Sequence, residues 1–169
     1  MAQTVFNRYE KKYLVPQDIY DELRRQLEPH MQEDQYGLHT ICNIYYETPD
    51  NELIRRSIEK PVYKEKLRLR SYGIPVMDST VFLEIKKKYR SIVNKRRIKL
   101  TLQEAYDYLE HDIRPQKDSQ ILREIDFFLS RYPLSRGLYL AYDRIALAGR
   151  QDPSFRVTFD QNIRSRRTH

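Results

Sequence analysis

The chain has 169 residues and a mass of 20.6 kDa, which suffices for one compact domain but not for two full ones. Hydrophobic residues make up 40% and charged residues 33%, with four Gly and eight Pro, which excludes collagen-like, low-complexity and wholly disordered chains. The net charge is +7, and the stretch from Lys60 to Lys99 holds thirteen Lys or Arg against three acids, or +10. We therefore expect one domain with a localised cationic surface and an anionic partner.

Membrane and export signals are missing from the sequence pattern. No apolar run reaches the roughly 18 residues that a membrane-spanning helix needs, and the N-terminus has no apolar signal core. This pattern predicts a cytoplasmic protein, and it leaves a membrane-bound partner and the oligomeric state open. The single cysteine, Cys42, lies in an apolar run, which predicts a buried side chain rather than a disulfide or a zinc site.

Strand and helix patterns follow one another in an order typical of an antiparallel α+β domain. The first strand is predicted over Val5 to Val15, before Pro16, and a short amphipathic helix over Asp18 to Leu27. The later elements are a strand over 38–48, a short helix over 51–60, strands over 62–72, 80–91 and 92–100, a helix over 101–110, a helix from Asp118, and strands over 137–147 and 154–163. The total is seven strands and three or four helices.

Two local patterns concern residues 101–110 and 164–169. Thr101 and Glu104 match a capping box, in which a hydroxyl and a carboxylate bind free amides at a helix start, so a helix is predicted from there to about Glu110. The segment from Arg164 to His169 is predicted to be a frayed basic end.

Alternation along the strands separates cationic from apolar side chains. Five strands have one polar, mostly cationic face, formed by Lys64, Lys66, Arg68 and Arg70; by Glu84, Lys86, Lys88 and Arg90; by Lys95, Arg97 and Lys99; by Arg156, Thr158 and Asp160; and by Arg8, Glu10 and Lys12. An ordinary half-exposed sheet also alternates in this way. However, like charges that face one another across strands destabilise a sheet. We therefore expect a polyanion or a row of phosphates to supply the missing charge, inside a barrel lined by the cations.

Seven segments resemble, in the family order, the strand motifs of the VTC domain. This is the polyphosphate polymerase domain of the vacuolar transporter chaperone type, in the CYTH-like triphosphate tunnel metalloenzyme superfamily. The segments are RYEKKYLV (8–15), NIYYET (43–48), KLRLRSYG (66–73), VFLEIKKKY (81–89), VNKRRIKL (93–100), YDRIAL (142–147) and FRVTFDQNIR (155–164). The resemblance implies an antiparallel β-barrel or tunnel with flanking short helices. Its basic lining would hold ATP, polyphosphate or pyrophosphate with Mn²⁺ or Mg²⁺, and would transfer the terminal phosphoryl group to a growing chain.

The resemblance also implies roles for particular residues. The residues expected to clamp the reacting triphosphate are Arg68, Arg70, Lys86 and Arg156. Those expected to bind phosphate or nucleotide are Lys12, Lys66, Lys95 and Arg144, to which Arg97 is added because it lies on the same cationic face. Glu10 and Glu84 are the inward carboxylates that could touch the metal, and pairing with neighbouring Lys and Arg is the simpler interpretation of both.

Two departures from the family pattern bear on activity. The hydrolase and cyclase branches open with Glu-x-Glu-x-Lys, where this chain has Arg8, Glu10 and Lys12. Arg8 thus stands in place of a metal-binding carboxylate, which disfavours a metal-rich triphosphatase and suits a polymerase. In addition, nothing after Asn162 resembles the family's final Glu-x-Lys strand, so residues 1–169 are interpreted as one tunnel domain without its closing strand. We expect phosphate binding to survive this better than turnover.

Two other functions fit parts of the pattern. A non-catalytic module that binds polyphosphate or another anion would use the same cations without a metal. Single-stranded nucleic acid binding would draw on the 14 Tyr and the basic sheet, because bases stack on aromatic rings beside cations. Alternation places Tyr63 and Tyr89 opposite the cations and only Tyr72 beside them, which disfavours nucleic acid.

Overall fold

The computed structural model describes residues 5–6, 10–59, 61–90 and 92–168. Eight strands and four helices follow one another in these ranges. In chain order they are β1 Val5–Phe6, α1 Gln17–Leu27, β2 Met31–Glu33, β3 His39–Glu47, α2 Glu52–Ile58, β4 Tyr63–Tyr72, β5 Thr80–Tyr89, β6 Ile92–Thr101, α3 Leu102–Glu110, α4 Gln120–Arg131, β7 Ser135–Gly149 and β8 Arg156–Arg167. None of the helices in the described ranges has the length and apolar character to cross a membrane.

The strands form one antiparallel sheet that curls into a half-barrel. The order is β1-β6-β5-β4-β3-β7, with β2 on β7 beyond the end of β3 and β8 along the other side of β7. In the described part of the chain β1 and β8 are the two edges and do not pair with each other. The curl therefore produces a concave face and a convex face, and it confirms the predicted antiparallel tunnel-type α+β fold.

The hydrophobic core lies on the convex face, between the sheet and two helices. Apolar side chains alternate along β4 to β6 and meet the apolar stripes of α3 and α4. The most buried of them are Leu67, Val81, Leu83, Ile85, Leu100, Ala105, Leu122, Ile125 and Phe128. Because the helices cover this face, the opposite cationic face is left open.

The helix starts follow the sequence signals. The Thr101 hydroxyl accepts a hydrogen bond from the Glu104 N–H at 3.1 Å, and the Glu104 carboxylate accepts one from the Thr101 N–H at 2.8 Å. This confirms the predicted capping box of α3. Helix α4 starts after Ser119, whose hydroxyl accepts from the Leu122 N–H at 3.1 Å, slightly later than predicted.

The prediction of a strand from Val5 to Val15 is wrong beyond Phe6 within the described residues. Strand β1 pairs with β6 over two residues only, and residues 10–16 have no strand structure. Tyr13 and Leu14 are exposed, so their alternation does not reflect burial against a core. Arg8, which was predicted to share a face with Glu10, lies outside the described residues.

The prediction that the C-terminal segment frays is wrong for residues 164–167. These residues belong to β8 and pair with residues 138–141 of β7. A bulge makes this possible, because Asn162 adopts a left-handed conformation with φ of 53°, which Asn tolerates better than most residues. With β2 as a further strand, the sheet has eight strands rather than the seven predicted.

Candidate anion-binding site

The concave face is built from rungs of side chains that lie opposite one another on β4, β5 and β6. The rungs are Lys64 with Lys88; Lys66 with Lys86 and Lys95; Arg68 with Glu84 and Arg97; and Arg70 with Phe82 and Lys99. They contain nine cations and one carboxylate. Cations that face one another across strands repel, so a bound anion would stabilise this arrangement.

The single carboxylate of these rungs, Glu84, is 1% exposed and lies among cations. Its Oε2 accepts a hydrogen bond from Arg68 Nε at 2.5 Å, and its Oε1 lies 3.2 Å from Lys95 Nζ. Arg70 Nε is 3.9 Å from Oε2. Burial opposes ionisation of Glu84, but the three cations hold its pKa below the usual range. Glu84 is therefore the charged centre around which the basic face is assembled.

Neutral groups, in addition to Glu84, fix the orientation of the two central arginines. Arg70 is 6% exposed, and it donates from Nε to Asn43 Oδ1 at 3.0 Å and from Nη2 to the Tyr142 hydroxyl at 3.1 Å. Arg68 donates from Nη1 to the Tyr45 hydroxyl at 3.1 Å. Such partners orient a guanidinium group without cancelling its charge. The positions of the two arginines are therefore set before any ligand binds.

The rung of Lys66, Lys86 and Lys95, called the lysine rung, places three amines side by side in a partly buried site, and this lowers their pKa values. Burial lowers the pKa of Lys66 and of Lys86. Burial also lowers the pKa of Lys95 to about 8, although Glu84 opposes this effect, and Arg68 and Arg70 lower the pKa further. A bound anion would favour the charged form of all three amines.

The two ends of the concave face differ in composition. At the arginine–aromatic end, the guanidinium carbon of Arg97 lies 4.7 Å from the ring centroid of Phe82. At the lysine end, Lys64 Nζ donates to the Ser57 carbonyl near the end of α2 at 3.1 Å. The arginine–aromatic end consists of His39, Arg70, Tyr72, Phe82, Arg97, Tyr142 and Arg144, and the lysine end of Lys64, Lys66, Lys86, Lys88 and Lys95.

The remaining predicted site residues lie around this centre. Arg144 lies on the concave face, and its guanidinium donates from Nε to Asp160 Oδ1 at 2.6 Å and from Nη2 to Asp160 Oδ2 at 2.8 Å. Arg156 lies opposite Ala148 near the start of β8 and is exposed. Lys12 is also exposed, 3.8 Å from Glu10. The structure thus brings together Arg68, Arg70 and Lys95, with Lys66, Lys86 and Arg97 in adjoining positions of the rungs.

Several residues of the concave face were not identified from the sequence. The interpretation that only Tyr72 joins the cations is wrong, because Tyr45, Phe82 and Tyr142 lie beside them too. Alternation along NIYYET and VFLEIK could have placed Tyr45 and Phe82. Arg167 lines a cavity of about 420 Å³ with Lys66 and Tyr45. Its inward placement depends on the bulge, for which Asn162 was the available signal.

The donor set does not fit a divalent metal held by the protein. Both oxygens of Glu84 face cations, and Glu10 is exposed beside Lys12. In the described ranges no three His, Cys, Asp or Glu side chains are grouped so that they could hold a metal ion. The metal role of Glu10 and Glu84 stays a prediction from the family resemblance.

The family model described as the VTC domain matches residues 7–169. The chain belongs to the VTC domain family. Among solved structures, this VTC domain is similar to a Bacillus halodurans protein proposed to be an adenylate cyclase, with a TM-score of 0.59, 18% identity, and coverage of 95% of this chain and 83% of the other. At that identity the likeness shows the fold alone.

A second solved structure is a Hippeastrum protein proposed to be an adenylyl cyclase and described as having a dominant triphosphatase activity. Its TM-score is 0.48, its identity 14%, and the coverage is 86% of this VTC domain and 70% of that chain. A search among curated proteins found no match.

Proposed function

We propose that the concave face of this VTC domain binds the triphosphate of ATP, a polyphosphate chain, or both, and transfers the terminal phosphoryl group to the growing chain. The observation that carries the proposal is the imbalance of nine cations and one carboxylate in the concave-face rungs of β4 to β6. Phosphates are the anions that planar guanidinium groups and rows of ammonium groups bind best. In this proposal residues 1–169 act as one tunnel-type domain.

The two central arginines would clamp the triphosphate. Arg68 and Arg70 are oriented by Tyr45, Asn43 and Tyr142, so their remaining N–H groups are fixed when the ligand arrives. Phosphoryl transfer needs little covalent chemistry from a protein, because positioning and cationic stabilisation of the equatorial oxygens lower the barrier. These arginines supply both.

The lysine rung would hold the acceptor chain. Lys66, Lys86 and Lys95 lie side by side across three strands, so they can neutralise successive phosphates without selecting one geometry. The terminal phosphate oxygen of that chain would attack the γ-phosphorus in line, forming the new P–O–P bond and releasing nucleoside diphosphate. Mn²⁺ or Mg²⁺, when bound to the phosphates, would neutralise further charge.

A non-catalytic polyphosphate-binding module is the second candidate. The observation that favours it is the environment of Glu84, whose two oxygens are engaged by Arg68 and Lys95. In a binding module the buried carboxylate holds the cations in place. Binding alone accounts for this role, and no catalytic role of Glu84 is needed to explain it.

Calorimetric titration with tripolyphosphate tests the binding proposal. The variant Arg68→Ala/Arg70→Ala is expected to lose roughly a hundredfold or more in affinity, because two charge-assisted contacts disappear. The control Arg25→Ala/Arg123→Ala removes the same charge from exposed helix positions and should change affinity less than about threefold. Equal losses in the two variants would mean non-specific attraction, and no binding by the unsubstituted chain would overturn the proposal.

Chain growth separates the two candidates. The protein is incubated with ATP, pyrophosphate and Mn²⁺, and polyphosphate length is followed on gels. Longer chains that the Arg68→Ala/Arg70→Ala variant cannot make would establish the polymerase. Tight tripolyphosphate binding without chain growth would instead establish the binding module. Binding to oligonucleotide and not to tripolyphosphate would show that the concave face recognises nucleic acid.

A further inference from the structure

Four aromatic rings form a continuous run at the arginine–aromatic end of the concave face. The ring centroids of Tyr36 and His39 are 6.0 Å apart, those of His39 and Tyr72 are 6.0 Å apart, and those of Tyr72 and Phe82 are 5.7 Å apart. These separations are typical of aromatic rings in contact. The four residues are called the aromatic run.

The two tyrosines of the aromatic run are open to solvent, whereas His39 and Phe82 are half-buried. Tyr36 is 68% and Tyr72 is 50% exposed. The run is nevertheless held in place, because the Tyr36 N–H donates to Asp34 Oδ1 at 3.0 Å and His39 Nδ1 lies 2.9 Å from the Gly37 carbonyl, to which it donates. Exposed rings on a fixed backbone are available to a ligand, whereas core rings are not.

The run begins where the phosphate clamp ends. Phe82 lies opposite Arg70 in the sheet, and the guanidinium of Arg97 lies over the Phe82 ring at 4.7 Å. The next rung, Arg68 with Glu84 and Arg97, has the single ring of Tyr45 beside Arg68. The two rungs beyond it consist of lysines, namely Lys66, Lys86 and Lys95 in one and Lys64 and Lys88 in the other. The face therefore has one aromatic platform at one end and several cationic rungs beyond it.

A ligand that has one flat ring joined to a row of phosphates would match this arrangement. Nucleobases stack on exposed aromatic side chains and on arginine. A nucleic acid strand alternates bases and phosphates, and would need rings between the cationic rungs. We infer that the aromatic run binds the base of a nucleoside triphosphate, whose terminal phosphate then points towards the lysine end. This inference rests on the proposed function.

The orientation has a consequence for specificity. An inorganic chain such as tripolyphosphate contacts the arginines and lysines but has no group for the aromatic run. Loss of Tyr36 or Tyr72 from the run should therefore weaken binding of ATP and leave binding of tripolyphosphate unchanged. A general defect in folding or in the cationic face would weaken both ligands together.

Parallel calorimetric titrations with ATP and tripolyphosphate test the inference. Tyr72→Ala is expected to lose about tenfold in ATP affinity and less than twofold in tripolyphosphate affinity, since stacking on one ring has roughly that effect. Tyr36→Ala, at a more exposed turn, should reproduce the selective loss in a smaller measure. Tyr72→Phe keeps the ring and should bind both ligands as the unsubstituted chain does.

The matched control is Tyr89→Ala, because Tyr89 is 53% exposed and lies on the opposite face from the cations. It should leave both affinities unchanged. Equal losses for ATP and tripolyphosphate in Tyr72→Ala, or undiminished ATP binding in both alanine variants of the run, would overturn the inference while the proposed function stands. If the unsubstituted chain binds neither ligand, the proposed function fails and the inference with it.

Discussion

The two ends of the concave face hold their cations by different means. At the arginine–aromatic end each guanidinium has fixed neighbours: Arg70 binds Asn43 and Tyr142, and Arg144 binds Asp160 through both forks. At the lysine end Lys66 and Lys86 face each other, and burial lowers the pKa of both. The first end is therefore suited to recognise a ligand by geometry, and the second to attract it by charge.

Substitution of Glu84, at the centre of the concave face where the two ends meet, should have the largest effect, and that effect is on stability. Glu84→Gln leaves Arg68 and Lys95 without their buried partner, so the free energy of unfolding is expected to fall by about 3 kcal/mol. Urea denaturation measures this. Tripolyphosphate should restore more stability to the variant than to the unsubstituted chain, because it replaces the missing negative charge.

Glu124→Gln is the control for that prediction. Glu124 accepts hydrogen bonds from Lys87 and Arg96, and it is partly exposed. Its loss should have a smaller effect, and tripolyphosphate should not reverse it. If Glu84→Gln were as stable as the unsubstituted chain, Glu84 would not be the centre that holds the cations together.

Exchanging the two kinds of cation tests geometry against charge. Arg70→Lys keeps the charge but loses the fork that binds Asn43 and Tyr142, and it is expected to lower tripolyphosphate affinity about tenfold. Lys86→Arg at the lysine end should change affinity less than about twofold. Calorimetry on both variants measures the contrast, and equal effects would show that both ends act through charge alone.

The affinity for ATP should depend on pH through the lysine end. The pKa of Lys95 is about 8, and a bound anion raises it, so binding above that pH requires uptake of a proton. Affinity is therefore expected to be full below pH 8 and to fall above it, by at most about tenfold per pH unit. Titrations from about pH 7 to 9.5 measure the profile. Lys95→Met should flatten it, and an unchanged profile in that variant would rule Lys95 out as the titrating group.

The smallest effect is expected at the ring beneath Arg97. Phe82→Leu keeps an apolar side chain but removes the aromatic face 4.7 Å from the guanidinium carbon, which is worth roughly two- to fivefold in affinity. The loss should be greater for ATP than for tripolyphosphate, since Phe82 also supports Tyr72. A leucine variant that binds both ligands normally would show that Arg97 needs no ring.

Patterns of short range predicted the fold well. The alternation of cations and leucines along β4 placed Arg68 and Arg70 on one face, and the capping box located the start of α3 at Thr101. Both signals arise from neighbours in the chain, and tertiary contacts reinforce rather than override them.

Features that depend on the partner strand were not predicted. The alternating segment before Pro16 lacks a strand partner over residues 10–16, so it does not form the long strand that its pattern indicates. Arg167 reaches the concave cavity only because the bulge at Asn162 shifts the register of β8. The partners of Arg70 come from β3 and β7, and which strands lie side by side is not written in any one segment.

A crystal structure of the chain with tripolyphosphate tests the central claim most directly. We expect a bound chain on the concave face, with phosphate oxygens about 2.7–2.9 Å from guanidinium nitrogens of Arg68 and Arg70. Further phosphates should extend towards Lys66 and Lys86. Phosphates bound only on the convex face, or on the concave face without contact to either arginine, would contradict it.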